Sequence, residues 1–172
     1  MSTEEKKNSQ ISLDSEIFSP STEKEVSEIV REIYSKQLPI EITGTGTKKG
    51  FGYNLQTAKK LSLSKLSGII DYKKEELYIK VKAGTPIQDI EKILDENNQE
   101  LAFEPIDFGY MINGQSNKGT IGGYVACNFA GSRRFKVGSV RDHILGFKGV
   151  NGKGDIIKSV SYTHLTLPTK WT

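Results

Sequence analysis

The chain has 172 residues, 24 of them basic and 21 acidic, and its formal net charge is +3 at pH 7. Its composition, 35% hydrophobic and 26% charged, excludes a wholly disordered chain, and the scatter of its basic residues argues against a nucleic-acid-binding protein. A single cysteine, Cys127, excludes an internal disulfide and a cysteine metal cluster, and no apolar run approaches the roughly 20 residues of a transmembrane helix. We therefore expect a soluble, cytoplasmic protein without a metal site.

The two ends of the chain differ from its middle. Residues 1–15 form a polar leader without the apolar stretch of a signal peptide. Val160 to Thr169 read VSYTHLTLPT, which resembles the translation of a transposase-end sequencing adapter. We therefore assign residues 160–172 to an artefactual tail, place the folded domain at residues 16–159, and expect the natural chain to continue beyond Ser159, so that the domain is truncated at its C-terminus.

The first half of the chain alternates helix and strand patterns. Thr22 and Glu25 have the spacing of a capping box, and apolar residues then recur every three or four positions, which predicts a helix ending near Gln37. Strands are predicted at 38–42 and 61–63, and a hairpin is predicted from 69–70 and 77–83. A second helix is predicted from Thr85-Pro86 to Asn97-Asn98.

The second half is rich in glycine and has short apolar runs. Leu101 to Phe103 predict a strand, Tyr124 to Ala130 a short helix, and Arg141 to Phe147 the opening of another strand. Residues 151–155 predict a hairpin turn before Ile156. The whole pattern predicts an α+β domain with two small sheets flanked by helices.

Two loops are candidates for binding a phosphate. The loop at 43–50, TGTGTKKG, follows a strand and combines glycines, hydroxyls and lysines, but it has neither the Walker nor the Rossmann spacing. The sequence TIGG at 120–123 precedes a helix, where free N–H groups and the helix dipole favour an anion. Taken alone, the first loop could be an ordinary turn, and the second pair of glycines could serve only close packing.

Taken together and in this order, these segments resemble the PCMH-type FAD-binding domain, also called the vanillyl-alcohol oxidase type. The resemblance covers Phe18 to Ser159. It is carried by SPSTEKEV at 19–26, the loop at 43–48, AGTP at 83–86, Glu104-Pro105, TIGG at 120–123, Asn128, Gly131 and GSVRDHILG at 138–146. The segments AGSRR at 130–134 and GSVRD at 138–142 are similar to the flavin subunits of the bacterial glycolate oxidase type.

The resemblance implies a set of FAD-binding residues. The loop Gly44, Thr45, Gly46, Thr47 and Lys48 would wrap the FAD pyrophosphate, and Thr120, Ile121, Gly122 and Gly123 would approach the pyrophosphate and ribityl chain from the opposite lobe. Pro105 would shape the wall near the flavin. Asn128, Gly131 and Ser139 would line the cofactor channel, and Ile144 would lie near the adenine. Thr47 stands where some members carry a flavin-linking histidine, which implies non-covalent FAD.

The resemblance also implies a function and partners. The chain would be the FAD-binding part of a 2-hydroxy-acid dehydrogenase, acting with a second flavin subunit and an iron–sulfur subunit on a small 2-hydroxy acid, and attached to the inner membrane only through those partners. A D-lactate dehydrogenase or an alditol oxidase of the same fold, and a flavin-free scaffold subunit, are the alternatives. Substrate-binding residues would lie in a later cap domain, so no catalytic residue is named.

Two further side chains have simple structural interpretations. Cys127 is expected to be a small buried hydrophobe. His143 is expected to support its turn or to lie at the surface rather than to act as a base.

Overall fold

The computed structural model describes residues 16–50, 53, 56–57 and 59–160. The predicted leader and all of the predicted tail except Val160 lie outside these residues. The elements in chain order are β1 (Ile17–Phe18), α1 (Glu23–Ser35), β2 (Glu41–Thr43), β3 (Lys60–Ser62), β4 (Ile69–Lys73), β5 (Tyr78–Val81), α2 (Ile87–Asp95), α3 (Phe108–Asn113), α4 (Ile121–Cys127), α5 (Arg134–Val137), a 3-10 helix (Val140–His143), β6 (Gly146–Val150) and β7 (Ile156–Val160).

The first helix begins as its sequence predicts. The Glu25 N–H donates to the Thr22 hydroxyl (3.2 Å), and the Glu25 carboxylate accepts from the Ser21 N–H (2.8 Å) and the Thr22 hydroxyl (3.0 Å). The carboxylate thus reaches one residue further back than the usual capping box. The helix ends at Ser35, two residues before Gln37, which has a positive φ of 53°.

The α+β class is confirmed, but the described residues form three small sheets rather than two. Strands β1, β3 and β2 pair in parallel in that order, whereas β4–β5 and β6–β7 are separate antiparallel hairpins. The β6–β7 hairpin pairs only with itself and lies against α1, where Lys148 forms an ion pair with Glu23. Its register continues through Val160, which pairs with Gly146, so β7 extends one residue into the predicted tail.

Two predicted strand segments are not strands. Residues 101–103 pair with no other described strand. The Glu104 N–H makes one isolated bond to the Ala130 carbonyl (3.2 Å), and Pro105, which has no N–H, cannot extend that pairing. Leu77 belongs to the turn before β5: its φ is 55° and its side chain is 77% exposed. The predicted strand near 141–147 begins only at Gly146, after a 3-10 helix, whereas the hairpin turn at 151–155 is confirmed.

The buried apolar side chains form three clusters. The first joins α1 to β1 and β3 through Phe18, Val26, Ile29, Ile33 and Leu61. The second contains Ile87, Phe108 and Tyr124, and the third contains Phe103, Ala130 and Val140. The second and third clusters share Leu101 and Ile121 at their edges, so α4 lies between them.

No helix in the described part of the chain is long and apolar enough to cross a membrane.

Candidate functional site

The two predicted phosphate loops lie side by side in the structure. A Cβ placed on Gly44 would lie 2.6 Å from the Thr120 Oγ1, and a Cβ placed on Gly119 would lie 2.7 Å from the Thr47 Oγ1. Loops that are distant in the chain therefore approach more closely than ordinary side chains permit. We call the residues 44–48 and 119–123 together the paired loops.

The first loop offers free backbone donors. Within the described part of the chain, the N–H groups from Thr45 to Lys48 donate no hydrogen bond, while the Lys49 N–H turns back to the Gly46 carbonyl (3.2 Å). Gly46 has a φ of +77°, a conformation that glycine adopts without steric cost. This arrangement suits an anion with several oxygens.

The start of α4 does not offer free donors, contrary to the prediction. The Ile121 N–H donates to the Thr85 carbonyl (3.0 Å) and the Gly122 N–H to the Ala83 carbonyl (2.9 Å). The Gly123 N–H donates to the hydroxyl of Thr120, the N-cap residue (3.3 Å). The reason is the antiparallel approach of the segment before α2, where Pro86 pairs with Thr120, and this segment occupies the Ile121 and Gly122 donors.

The adjacent glycines of α4 have different surroundings. A Cβ on Gly122 would lie 2.8 Å from the Ala83 carbonyl oxygen, so this glycine provides the clearance that packing requires. A Cβ on Gly123 would lie 3.5 Å from the Thr120 Oγ1 and 3.6 Å from the Lys48 Nζ, in ordinary contact distance. The packing interpretation therefore applies to Gly122, whereas Gly123 faces the first loop.

Lys48 is held by residues that the sequence analysis did not assign to the site. Its Nζ lies 4.1 Å from the centre of the Tyr124 ring and 5.3 Å from that of Phe108. Burial lowers the pKa of Lys48, with a smaller opposing effect from Cys127. Tyr124 lies four residues after Thr120 and so on the same side of the helix. This spacing is the sequence signal that could have indicated that Tyr124 lies near the first loop and Lys48.

The predicted channel residues have partners within the protein. Asn128 ends α4 with a φ of 53°, and its Oδ1 accepts from the Arg141 N–H (3.1 Å). Gly131 has a φ of +71° and backs onto Glu104. Buried Ser139 donates from its N–H and its hydroxyl to the Asp142 carboxylate (2.7 Å each), and Ile144 packs against the third cluster. These four predicted channel residues connect the segments around α4. Their contact with a flavin stays a prediction.

Pro105, predicted to lie near the flavin, borders a charged groove. It lines a groove of about 700 Å³ beside α2, together with Glu91, Glu100, Lys118 and Arg133. The charges there compensate one another, since Lys118 binds Glu91 (2.8 Å) and Arg133 binds Glu100 (3.2 Å). That Pro105 shapes the wall near the flavin stays a prediction.

The structure gives the surroundings of Cys127 and His143. Cys127 is exposed rather than buried, because it is the last residue of α4 and lies beyond the clusters that cover this helix. The His143 ring packs against Phe103 with a centroid separation of 6.2 Å, and its Nε2 is buried without a hydrogen-bond partner in the described residues. The adjacent side chains of Arg141 and Asp142 form an ion pair at 3.8 Å.

The donor set fits a dinucleotide phosphate better than a metal. The first loop supplies N–H groups and one ammonium, and no group of three or more His, Cys, Asp or Glu side chains in the described ranges is placed to hold a metal ion. Gly44 and Gly119 leave room where a side chain would collide with the opposite loop.

Comparison with known proteins gives a consistent family. Residues 15–159 match the family described as an FAD binding domain. The chain is 36% identical over 127 residues to the glycolate oxidase subunit GlcE of Escherichia coli (strain K12), covering 74% of this chain and 34% of that protein. It is 30% identical over 135 residues to a D-lactate dehydrogenase of Anaerostipes hadrus, covering 78% and 26%.

Solved structures agree on the fold. Phl p 4.0202, a glucose dehydrogenase, aligns with a TM-score of 0.67 and 13% identity, covering 83% of this chain and 28% of that chain. This chain spans about a third or less of the length of the relatives it matches.

Proposed function

We propose that this chain, which belongs to the FAD-binding domain family, is the N-terminal FAD-binding part of the flavin subunit of a glycolate-oxidase-type 2-hydroxy-acid dehydrogenase. The cofactor is FAD, and the relatives are flavin-dependent oxidoreductases. The similarity to the glycolate oxidase subunit supports the choice of substrate class. Residues 16–159 form the folded domain in this proposal.

One observation carries the proposal: the first loop presents free N–H groups from Thr45 to Lys48 directly opposite the Thr120 segment. These N–H groups would bind the FAD diphosphate, and Gly123 would leave room for it. FAD, when bound, supplies the two-electron chemistry of the reaction. This chain's own residues bind and orient the cofactor, and Thr47 offers no imidazole for a covalent link.

The proposal includes the partners of the complete enzyme. A second flavin subunit and an iron–sulfur subunit would accept electrons, and the substrate would bind to a cap domain that follows in the complete gene product. The protein would be cytoplasmic, with any attachment to the inner membrane made through those subunits. Co-purification of the tagged full-length protein with an iron–sulfur protein would support this part, and isolation of the protein alone in an active form would contradict it.

The first experiment tests the cofactor. The protein expressed from its complete gene is purified, denatured and filtered, and the filtrate is examined for FAD. We expect about one FAD per chain in the filtrate, since no covalent link is expected. Flavin retained by the denatured chain would contradict the non-covalent assignment, and a flavin-free protein that still binds its partners would favour the scaffold alternative.

The second experiment tests the substrate. The 30% identity to a D-lactate dehydrogenase is the observation that favours a second candidate. Bleaching of the bound FAD is recorded with glycolate and with D-lactate. A higher kcat/KM for glycolate supports the proposed function, and a higher value for D-lactate supports the alternative.

A further inference from the structure

The turn between β6 and β7 begins with an Asn-Gly pair, Asn151 and Gly152. A second such pair, Asn113 and Gly114, lies at the end of α3. In an Asn-Gly pair the glycine nitrogen can attack the carbonyl carbon of the asparagine side chain, because no Cβ stands beside the attacking atom. The surroundings of that nitrogen and of the amide decide whether the attack occurs in a folded protein.

The two glycine nitrogens have different surroundings. The Gly114 N–H donates to the Tyr110 carbonyl (3.0 Å) and closes the end of α3. Among the described residues the Gly152 N–H has no hydrogen-bond acceptor, and Gly152 is exposed. A Cβ placed on Gly152 would meet nothing within 4 Å. Solvent can therefore take the proton from the Gly152 nitrogen, whereas a hydrogen bond holds the Gly114 N–H.

The side-chain amide of Asn151 is polarised by the turn. Its Oδ1 accepts from the Lys153 N–H and from the Asp155 N–H, at 2.9 Å each. Negative charge develops on this oxygen when a nucleophile adds to the carbonyl carbon, and donors already directed at the oxygen stabilise that charge. The Asn151 Nδ2, which would leave as ammonia, donates to the Asp155 carboxylate (3.2 Å). Nucleophile and polarised carbonyl thus belong to adjacent residues.

We propose that Asn151 is a site of spontaneous deamidation, in which the Gly152 nitrogen displaces ammonia from the Asn151 side chain. The bond between the Gly152 nitrogen and the Asn151 Cγ forms, and the bond from Cγ to Nδ2 breaks. The Gly152 nitrogen gives its proton to solvent, and the departing nitrogen takes one up. Water then opens the five-membered ring to an isoaspartyl or an aspartyl residue. Water is the only co-reactant, and nothing is oxidised or reduced.

The isoaspartyl product would weaken the contact of the hairpin with α1. In this product the backbone runs through the former side-chain carbon and is longer by one CH₂ group. The Asn151 carbonyl, which accepts from the Gly154 N–H (3.0 Å), becomes a carboxylate on a branch. Gly154 and Asp155 are the residues that bind Ser27 and Arg31 of α1. No flavin takes part in this reaction, so it goes beyond the proposed function.

The test compares the two Asn-Gly pairs in one molecule. The full-length protein is incubated in mildly alkaline buffer, and the conversion of amide to acid is followed by mass spectrometry of the peptides that contain Asn151 and Asn113. We expect Asn151 to react at least about tenfold faster than Asn113 in the folded protein. In urea the two rates should agree within about threefold, because both glycine nitrogens are then free.

Two further measurements complete the test. Gly152→Ala, whose Cβ meets no neighbour, should slow the reaction of Asn151 about tenfold or more, because the methyl group shields the attacking nitrogen. Hydrogen exchange of the β6 and β7 amides is compared between fresh and incubated protein, and we expect faster exchange in the isoaspartyl form.

Each result decides a stated part of the proposal. Equal rates for Asn151 and Asn113 in the folded protein, or the same preference in urea, would overturn the assignment of the site to the folded turn. An unchanged rate in Gly152→Ala would overturn attack by the Gly152 nitrogen. Unchanged exchange in the isoaspartyl form would overturn the effect on the hairpin.

Discussion

At the scale of single residues, two adjacent glycines serve different purposes. Gly122 lies against the backbone of Ala83, and Gly123 lies against the first loop and the Lys48 ammonium. One glycine is needed for the fold to close, and the other leaves space at the proposed cofactor site. Substituting both residues at once, the obvious test of flavin binding from sequence, would therefore confuse unfolding with loss of affinity.

Separate substitutions distinguish the two roles. Gly122→Ala should lower the free energy of unfolding by about 1–3 kcal/mol, because its Cβ would press on the Ala83 carbonyl oxygen. Gly123→Ala should leave stability unchanged or raise it by up to about 1 kcal/mol, since alanine favours a helix, while lowering FAD affinity. Urea denaturation and flavin titration measure the two effects. Equal stabilities of the two variants would contradict this assignment.

Asp142 should make stability depend on pH. The Ser139 N–H, and then the Ser139 hydroxyl, lower the pKa of Asp142 below its ordinary value of 3.8. A carboxyl whose folded pKa is depressed contributes stability above its unfolded pKa and loses that contribution as the pH falls through the folded pKa. Asp142→Asn should therefore destabilise the protein at pH 6 and narrow its stability difference between pH 6 and pH 3.

Denaturation at both pH values checks this, with Asp89→Asn on the exposed face of α2 as the control. The prediction is wrong if Asp142→Asn loses as much stability on acidification as the unsubstituted protein.

At the scale of elements, the paired loops are held together by backbone hydrogen bonds. The Leu63 N–H donates to the Thr43 carbonyl (2.8 Å), the Gly84 N–H to the Leu66 carbonyl (2.9 Å), and the Gly122 N–H to the Ala83 carbonyl (2.9 Å). This succession connects the end of β2, through the segments after β3 and before α2, to the start of α4. The segment at 83–86 therefore connects the two loops through backbone hydrogen bonds.

Thr85 contributes a buried hydroxyl to this connecting segment, residues 83–86. Its side chain is 1% exposed, accepts from the Gly68 N–H (3.0 Å) and donates to the Lys82 carbonyl (2.7 Å). Thr85→Val keeps the shape but leaves the Gly68 N–H without this acceptor, so we expect a loss of about 1–3 kcal/mol in the free energy of unfolding.

The matched control is Thr43→Val, because the Thr43 hydroxyl makes only a long contact of 3.4 Å with the Gly44 carbonyl. We expect it to change stability by no more than about 0.5 kcal/mol. Thermal and urea denaturation compare the two variants. Equal losses of stability would show that the hydrogen bonds of the Thr85 hydroxyl do not stabilise the segment at 83–86.

At the scale of the whole molecule, the last hairpin docks onto the first helix. The Ser27 hydroxyl donates to the Gly154 carbonyl (2.5 Å), and Arg31 lies 3.5 Å from Asp155. Gly154 has a φ of +84°, and a Cβ there would lie 2.2 Å from the Arg31 Cγ and 2.7 Å from the Ser27 carbonyl oxygen. The hairpin can reach α1 only because this residue has no side chain.

Gly154→Ala should lower the free energy of unfolding by at least about 2 kcal/mol, since positive φ and the collision with Ser27 add to each other. Gly152→Ala in the same turn is the control, because a Cβ there meets nothing within 4 Å. Circular dichroism during urea denaturation measures both variants. Similar midpoints would mean that the hairpin does not depend on this close approach.

Local features of the sequence predicted the elements well. Three features each depend on contacts within a few residues and can therefore be identified from the sequence without the fold. They are the cap formed by Thr22 and Glu25, the apolar spacing of α2 and the polar turn at 151–155. The strand at 101–103 and the burial of Cys127 were wrong, because pairing and cover depend on distant segments. The number of sheets differed for the same reason.

The candidate site likewise has some features that follow from the sequence alone and others that depend on tertiary packing. The sequence by itself determined where the chain can turn without a side chain, and it placed glycines, hydroxyls and Lys48 in one loop. Only the tertiary structure decided that Ala83 and Thr85 occupy the donors of Ile121 and Gly122 and that Tyr124 and Phe108 hold the Lys48 ammonium. The physical reason is that backbone geometry is a local property, whereas a hydrogen-bond partner or a desolvated charge depends on which distant segment packs against it.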